Sequence, residues 1–420
     1  MRVLGAVLYL AAALCWAGEP GITAAEYASR RDALRQELSG GAAILTGEAE
    51  GGHGNIRAGF FQEANFYYLT GWTQPGAILF IGPEADVLFI PRRNPEQVKW
   101  TGPMADPSDG DIAAVTGFGD VRAREAFEAE LPELVKGASK VYALLGSPGG
   151  EAIAKLLPLR EIKDATGAIG KLRMKKSAAE VALIRRSAAI TMEAQRAAWR
   201  RMAPGLHEYQ IASTISGAYF DAGCGRHAFA PIVGSGPNGV YLHYSRNSRR
   251  FDAGELVLMD AGAECDGYAA DITRTVPAGG AFTKRQREIY QAVLGAQEAA
   301  IAAVKPGMTL AKQGPNSLYR IAYDYIDSHG KDRHGAGLGK YFTHGLGHQV
   351  GLDVHDPGGP EVPLEAGMVI TIEPGVYISE ENIGIRIEDM VLVTEDGAEV
   401  LTAPLPKDVR EIEQAVRKGG

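Results

Sequence analysis

The sequence predicts an α/β protein of the α+β kind, divided into two domains, and three observations carry that expectation. At 420 residues the chain exceeds what one hydrophobic core usually organises. Its first third alternates short apolar strands with helical stretches, while long capped helices and strand pairs that occur twice fill the remainder. With 45% hydrophobic and 22% charged residues, both parts carry enough apolar surface to fold.

Met1 to Pro20 opens with one early basic residue, Arg2, and an apolar run from Val3 to Trp16, the pattern of a secretory signal over residues 1–18. The run is shorter than the roughly 20 residues a spanning helix needs, which disfavours an uncleaved anchor. Export to a periplasm or out of the cell is therefore expected, with no stable membrane span after cleavage. Cys15 is an alternative lipid anchor, disfavoured by the bulky Leu14 before it.

Residues 19–170 form the expected amino-terminal domain. A helix from Glu26 to Leu38 precedes strands at Ala42–Leu45, Ala77–Ile81 and Val87–Ile90, then a helix near Ala123–Val135 and a strand at Val141–Leu145. Gly146 to Gly150 reads as a loop without a phosphate-binding fingerprint. The second domain, 171–420, opens at a capping box, Ser177 with Glu180, which starts a helix to about Met202. Thr283 with Gln286 repeats that signal and starts a helix ending at Pro306-Gly307.

The stretch Ala253 to Asp260 can be laid over Ala366 to Glu373, so that Asp260 falls on Glu373 and Gly262 on Gly375. A duplication of about a hundred residues implies two related halves meeting face to face. Leu256–Ala263 and Gly267–Val276 read as the strands of a hairpin turning through Cys265-Asp266-Gly267, which sets Asp260 opposite Asp271 or one step diagonal to it. Apolar neighbours take Asp260 into low dielectric, and Glu373 and Glu388 sit in similar apolar runs in the second half. Buried carboxylates placed together repel unless protonated or bridged by a cation. Thr343 to His348 adds imidazoles, and three of the 9 histidines, His344, His348 and His355, cluster there. That combination suits a metal site. His53, His207, His227, His329 and His334 lack such company and read as ordinary residues, and Cys224 and Cys265 as small buried residues, with a disulfide left open.

The segments IVGSGPNGVYLHY, LVLMDAGAECDGYAADITRT, THGLGHQVGLDVHD, VITIEPGVY and GIRIEDMVLV together resemble the pita-bread metallopeptidases, and within them the Xaa-Pro aminopeptidases and Xaa-Pro dipeptidases. FFQEANFYYLTGWTQPGAILFI resembles the auxiliary domain of the same peptidases. The resemblance implies a pseudo-twofold pita-bread catalytic domain behind a mixed α/β auxiliary domain, often joined into homo-oligomers. It implies two divalent ions, commonly manganese, with zinc or cobalt able to substitute. Asp260 would hold one ion, His348 and Glu373 the other, and Asp271 and Glu388 would bridge them. His243, His344, His355 and Tyr377 would line the substrate site, with His243, His355, Glu373 and Arg386 as catalytic residues and Arg386 supporting Glu388. Peptides with proline second would be the substrates.

The formal charge of -8, without a long basic run, argues against nucleic acid. A dipeptidase would carry the same ligands and differ in the peptide length it accepts. A methionine aminopeptidase usually lacks the auxiliary domain, and metal-free binding or creatinase-like relatives lose the ligand set.

Overall fold

The computed structural model describes residues 21–49 and 59–417. The expected leader, Cys15 and His53 lie outside these residues.

The amino-terminal part is built on a mixed sheet of β1 (Ala42–Thr46), β2 (Ile78–Ile81), β3 (Asp86–Ile90), β4 (Val121–Ala123), β5 (Val141–Ala143) and β6 (Ile162–Asp164), in the order β4-β3-β2-β1-β5-β6. The central strands β1, β2 and β3 are apolar and buried along nearly their whole length because both faces are covered. Ile44, Phe80 and Phe89 point into one core with Phe127 and Leu131, whereas Leu45, Leu79 and Leu88 point into the other with Leu34 and Phe66. The second core runs on into Ile184, Tyr268, Val350 and Met390 of the carboxy-terminal part. Ile184 and Val350 are fully buried there, each contributing about 1.5–3 kcal/mol.

Three helices of this part bear on the site: α1 (Ala24–Glu37), α2 (Ala64–Thr70) and α3 (Thr166–Met174). The expected loop at Gly146–Gly150 is replaced by a helix over Pro148–Leu156. Ser147 caps it by accepting from the Gly150 amide at 3.0 Å, and Pro148 occupies the first turn, where its missing N–H costs nothing.

Ser177 and Thr283 both form the capping boxes expected of them, opening α4 (Ala178–Arg201) and, after α5 (Glu208–Asp221), α6 (Lys284–Ala303). α7 (Leu318–His329) packs on α6 as α5 packs on α4. The first half contributes β7 (Arg226–His227), β8 (Ile232–Ser235), β9 (Leu256–Ala261), β10 (Ala263–Cys265), β11 (Tyr268–Ala269) and β12 (Ile272–Pro277). The second contributes β13 (Val369–Ile372), β14 (Gly375–Ile378), β15 (Ile383–Arg386), β16 (Asp389–Val393) and β17 (Ala398–Val400).

The expected duplication has a structural signature in two buried glutamines. Gln195 of α4 donates its amide to the carbonyls of Met259 at 3.2 Å and Ile272 at 3.1 Å, and Gln297 of α6 donates to those of Ile372 at 3.2 Å and Ile387 at 3.1 Å. All four acceptors are chain neighbours of the candidate carboxylates Asp260, Asp271, Glu373 and Glu388. Each half therefore pins its acidic strand pair to its long helix with one amide.

The β9–β12 register moves the turn centre by one residue from the hairpin reading and each cross-strand partner by two. Asp260 pairs with Thr273 and Cys265 with Tyr268, so the turn is Asp266-Gly267 rather than centred before Asp266. Both turn residues have positive φ, 52° and 82°, as a two-residue turn of primed type demands. Asp271 consequently sits diagonal to Asp260. Cys224 and Cys265 are joined in a disulfide, Cα atoms 4.5 Å apart, which corrects their reading as separate small residues. Pairing of β7 with β10 brings the end of α5 beside Cys265, a proximity that spacing along the chain does not reveal. Among the described residues no helix is long and apolar enough to cross a membrane.

Candidate active site

The two halves meet around a cavity of about 560 Å³ whose lining includes Asp260, Asp271, His348, Glu373 and Glu388. His243, His344, His355 and Arg386 line it as well. Asp260 comes from β9, Asp271 from the residue just before β12, Glu373 from the residue just after β13, and Glu388 from the link between β15 and β16. His348 is brought in by backbone pairing: its carbonyl accepts from the Thr371 amide at 2.9 Å, and the Leu346 carbonyl accepts from Glu373 at 2.8 Å. Gly347 allows this approach, since a Cβ there would lie 2.0 Å from the Thr371 carbonyl oxygen.

Residue by residue, the acids are too buried to remain unpaired anions. Asp260, Asp271 and Glu388 are all under 9% exposed, and Oδ1 of both Asp260 and Asp271 is buried without a hydrogen-bond partner. Burial, reinforced by the neighbouring charges of Glu388 and Asp260, pushes Asp271 well above the usual carboxylate range. Glu373 is raised by burial and by Glu388, and Glu388 is raised to about 8 by burial and by Asp260. These are oxygens that need either protons or a cation.

The imidazole of His348 is prepared for the same task. Burial pulls its pKa down to about 4, so the ring is neutral. Nδ1 is 3.0 Å from the Gln349 carbonyl, which accepts its proton and leaves the Nε2 lone pair facing Asp271 at 3.5 Å and Glu373 at 3.6 Å. Ligand atoms of Asp271, His348 and Glu388 all lie within 4.8 Å of one another. One carboxylate-rich pocket with a single tautomer-fixed imidazole and orphaned oxygens fits hard or borderline divalent ions.

Arg386 departs from its expected place. Its Nη2 donates to Asp260 Oδ2 at 2.5 Å, and its Nε donates to Thr273 Oγ1 at 3.1 Å, while the Thr273 hydroxyl donates to Glu388 Oε2 at 2.7 Å. Support for Glu388 thus passes through Thr273, because the guanidinium crosses the seam to β9. Tyr377 does not line the cavity: it stands behind, accepting from Arg386 Nη1 at 2.9 Å and facing His344 Nε2 at 2.9 Å. His344 is held neutral by burial, its Nδ1 spent on the Gly345 carbonyl. His243 and His355 are exposed at the rim, with the His355 ring centroid 4.2 Å from that of His348. His207, His227, His329 and His334 fall outside the cavity lining, in keeping with their ordinary reading. Thr273 and Thr371, which bonds both the His348 amide and Glu373, went unnoticed in the sequence, although each lies two residues from an acid on its own strand.

Related halves closing on buried acids and one imidazole define a metallohydrolase site. The metallopeptidase family M24 matches residues 182–395, and the aminopeptidase P N-terminal domain matches residues 27–142. A Xaa-Pro aminopeptidase of Haemophilus influenzae is 34% identical, with 84% of this chain and 88% of that protein aligned. That of Escherichia coli is 33% identical over 93% of this chain and 97% of its own length. The structure of aminopeptidase P from E. coli with the inhibitor Pro-Leu superposes with a TM-score of 0.86 at 31% identity, covering 95% of this chain and 99% of that one. Pseudomonas aeruginosa aminopeptidase PepP gives 0.85 at 32% over the same shares. The chain belongs to metallopeptidase family M24. With its aminopeptidase P N-terminal domain and pita-bread catalytic domain, it is a metallo-aminopeptidase of the aminopeptidase P type.

Proposed function

We propose that this enzyme releases the amino-terminal residue from peptides with proline at the second position, using two divalent ions, manganese in the first instance, held by Asp260, Asp271, His348, Glu373 and Glu388. The observation that carries the reading is the convergence of these five side chains on one cavity with two carboxylate oxygens left unpartnered. When bound, such ions acidify a water and polarise the scissile carbonyl.

The chain's own residues supply the rest. Glu373, at the cavity wall, takes a proton from the attacking water and passes it to the leaving proline nitrogen. His243 and His355 at the rim hydrogen-bond the substrate and the developing oxyanion. Arg386 holds Asp260 through its ion pair and so keeps one anionic oxygen in place for the substrate's free amine, which confines cleavage to the first bond. Export to an oxidising compartment is part of the same proposal, and the Cys224–Cys265 disulfide supports it.

Hydrolysis of Arg-Pro-Pro and Ala-Pro by metal-stripped protein, before and after manganese is added, tests the reading. Release of Arg from the tripeptide only with metal is expected. Cleavage of Ala-Pro alone would select a dipeptidase, and inactivity on both would refute the proposal.

A further inference from the structure

His355 sits on an exposed turn, yet the turn is gripped from beneath by charged groups at the junction of the two parts. Arg173, at the end of α3, donates Nη2 to Asp353 Oδ2 at 2.7 Å and to Asp356 Oδ1 at 2.6 Å. Its Nη1 donates to Asn65 Oδ1 on α2 at 2.7 Å. Lys176 adds a contact from Nζ to Asp356 Oδ2 at 2.9 Å. The side chains of Arg173, Lys176 and Asp356 are 3%, 1% and 1% exposed, so this is a buried network and not a surface pair.

The two acids it grasps bracket His355 in the chain. Asp356 also closes the turn on itself, accepting from the Asp353 amide at 3.2 Å, while its own amide donates to the Gln349 carbonyl at 3.0 Å. A planar guanidinium that meets two carboxylates and an amide oxygen fixes directions as well as distances. An apolar contact of the same size would let the turn slide.

We propose that Arg173 is a positioning residue for His355, and that through its bond to Asn65 the auxiliary domain helps set the geometry of the catalytic rim. The inference rests on the role given to His355 above. Asn65 and the α3 terminus thus belong to the working machinery although they lie outside the cavity lining.

A double-mutant cycle with Arg173→Met and His355→Ala tests this, reading kcat and KM on Arg-Pro-Pro together with bound metal per chain. Arg173→Met is expected to lower kcat by about 100-fold with metal content and KM held, the scale on which remote misplacement of a reacting geometry acts. The double variant should be no slower than His355→Ala alone. Arg173→Lys, which keeps the charge but not the fork, should recover part of the lost kcat. Multiplying losses, unchanged kcat in Arg173→Met, or activity falling in step with metal content would each overturn the proposal. Unchanged activity in His355→Ala would remove the His355 role itself. Should Arg173→Met fail to fold, Asp353→Asn at the half-exposed end of the network carries the same test, with the same non-additivity expected and multiplying losses overturning it.

Discussion

Removing the metal should make this enzyme's stability fall as pH rises, with Glu388 carrying a measurable share of the effect beside Asp271 and Glu373. Glu388 is held at about 8 in the folded, metal-free protein, against 4.5 for the ordinary side chain. Between those values the folded state keeps a proton that the unfolded state has released. The unfolded state therefore binds fewer protons, and folding stability declines with pH across that window, the reverse of the behaviour of a salt-bridged acid. From pH 5.5 to 8 one retained proton amounts to about 3 kcal/mol, or roughly 6–12 °C in Tm for a domain of this size. The assay is thermal unfolding of chelated protein at both pH values beside Glu388→Gln, which cannot titrate. The chelated wild type should lose that margin, the variant should lose markedly less, and restored metal should abolish the slope in the wild type. Equal slopes for wild type and Glu388→Gln, both without metal, would refute the reasoning.

Two further outcomes follow from the site geometry. Glu373→Gln should abolish turnover while metal remains bound, because the amide keeps a ligand oxygen but cannot accept the proton; an active variant with full metal content would remove Glu373 from the proton path. Gly347→Ala places a methyl 2.0 Å from the Thr371 carbonyl oxygen and must push the His348 segment away from β13. Metal affinity should drop by about 10–100-fold in equilibrium dialysis, and undiminished affinity would show that this backbone approach does not set the His348 position.

Much of the site was legible in the sequence because its chemistry leaves a local trace. Acids inside apolar strand runs have few structural excuses, and Asp260, Glu373 and Glu388 each announce themselves that way. The capping boxes at Ser177 and Thr283 were equally readable, since a cap is a contact between residues three apart. What sequence did not disclose depends on contacts distant along the chain. Arg386 meets Asp260 across the seam, Cys224 meets Cys265 only once β7 pairs with β10, and Arg173 meets Asp356 from far along the chain. The turn error had a local cure, as Asp-Gly is itself a strong signal for the two central positions of a tight hairpin. Gln195 and Gln297 were missed for a different reason: a glutamine on a long helix ordinarily faces water, and only the packed strands show these two to be fully buried.

The matched amides of Gln195 and Gln297 also bear on how such a catalyst could arise. Each half secures its own pair of acidic strands to its own helix, but Asp260 and Asp271 come from one half and His348, Glu373 and Glu388 from the other. One half alone would carry an incomplete centre, completed only where two halves meet. Joining the halves in one polypeptide replaces that encounter by an intramolecular one, so assembly of the centre no longer depends on protein concentration. It also releases the copies from identity, and a single imaginary ancestor's symmetric acids could then be joined by a histidine on one side alone.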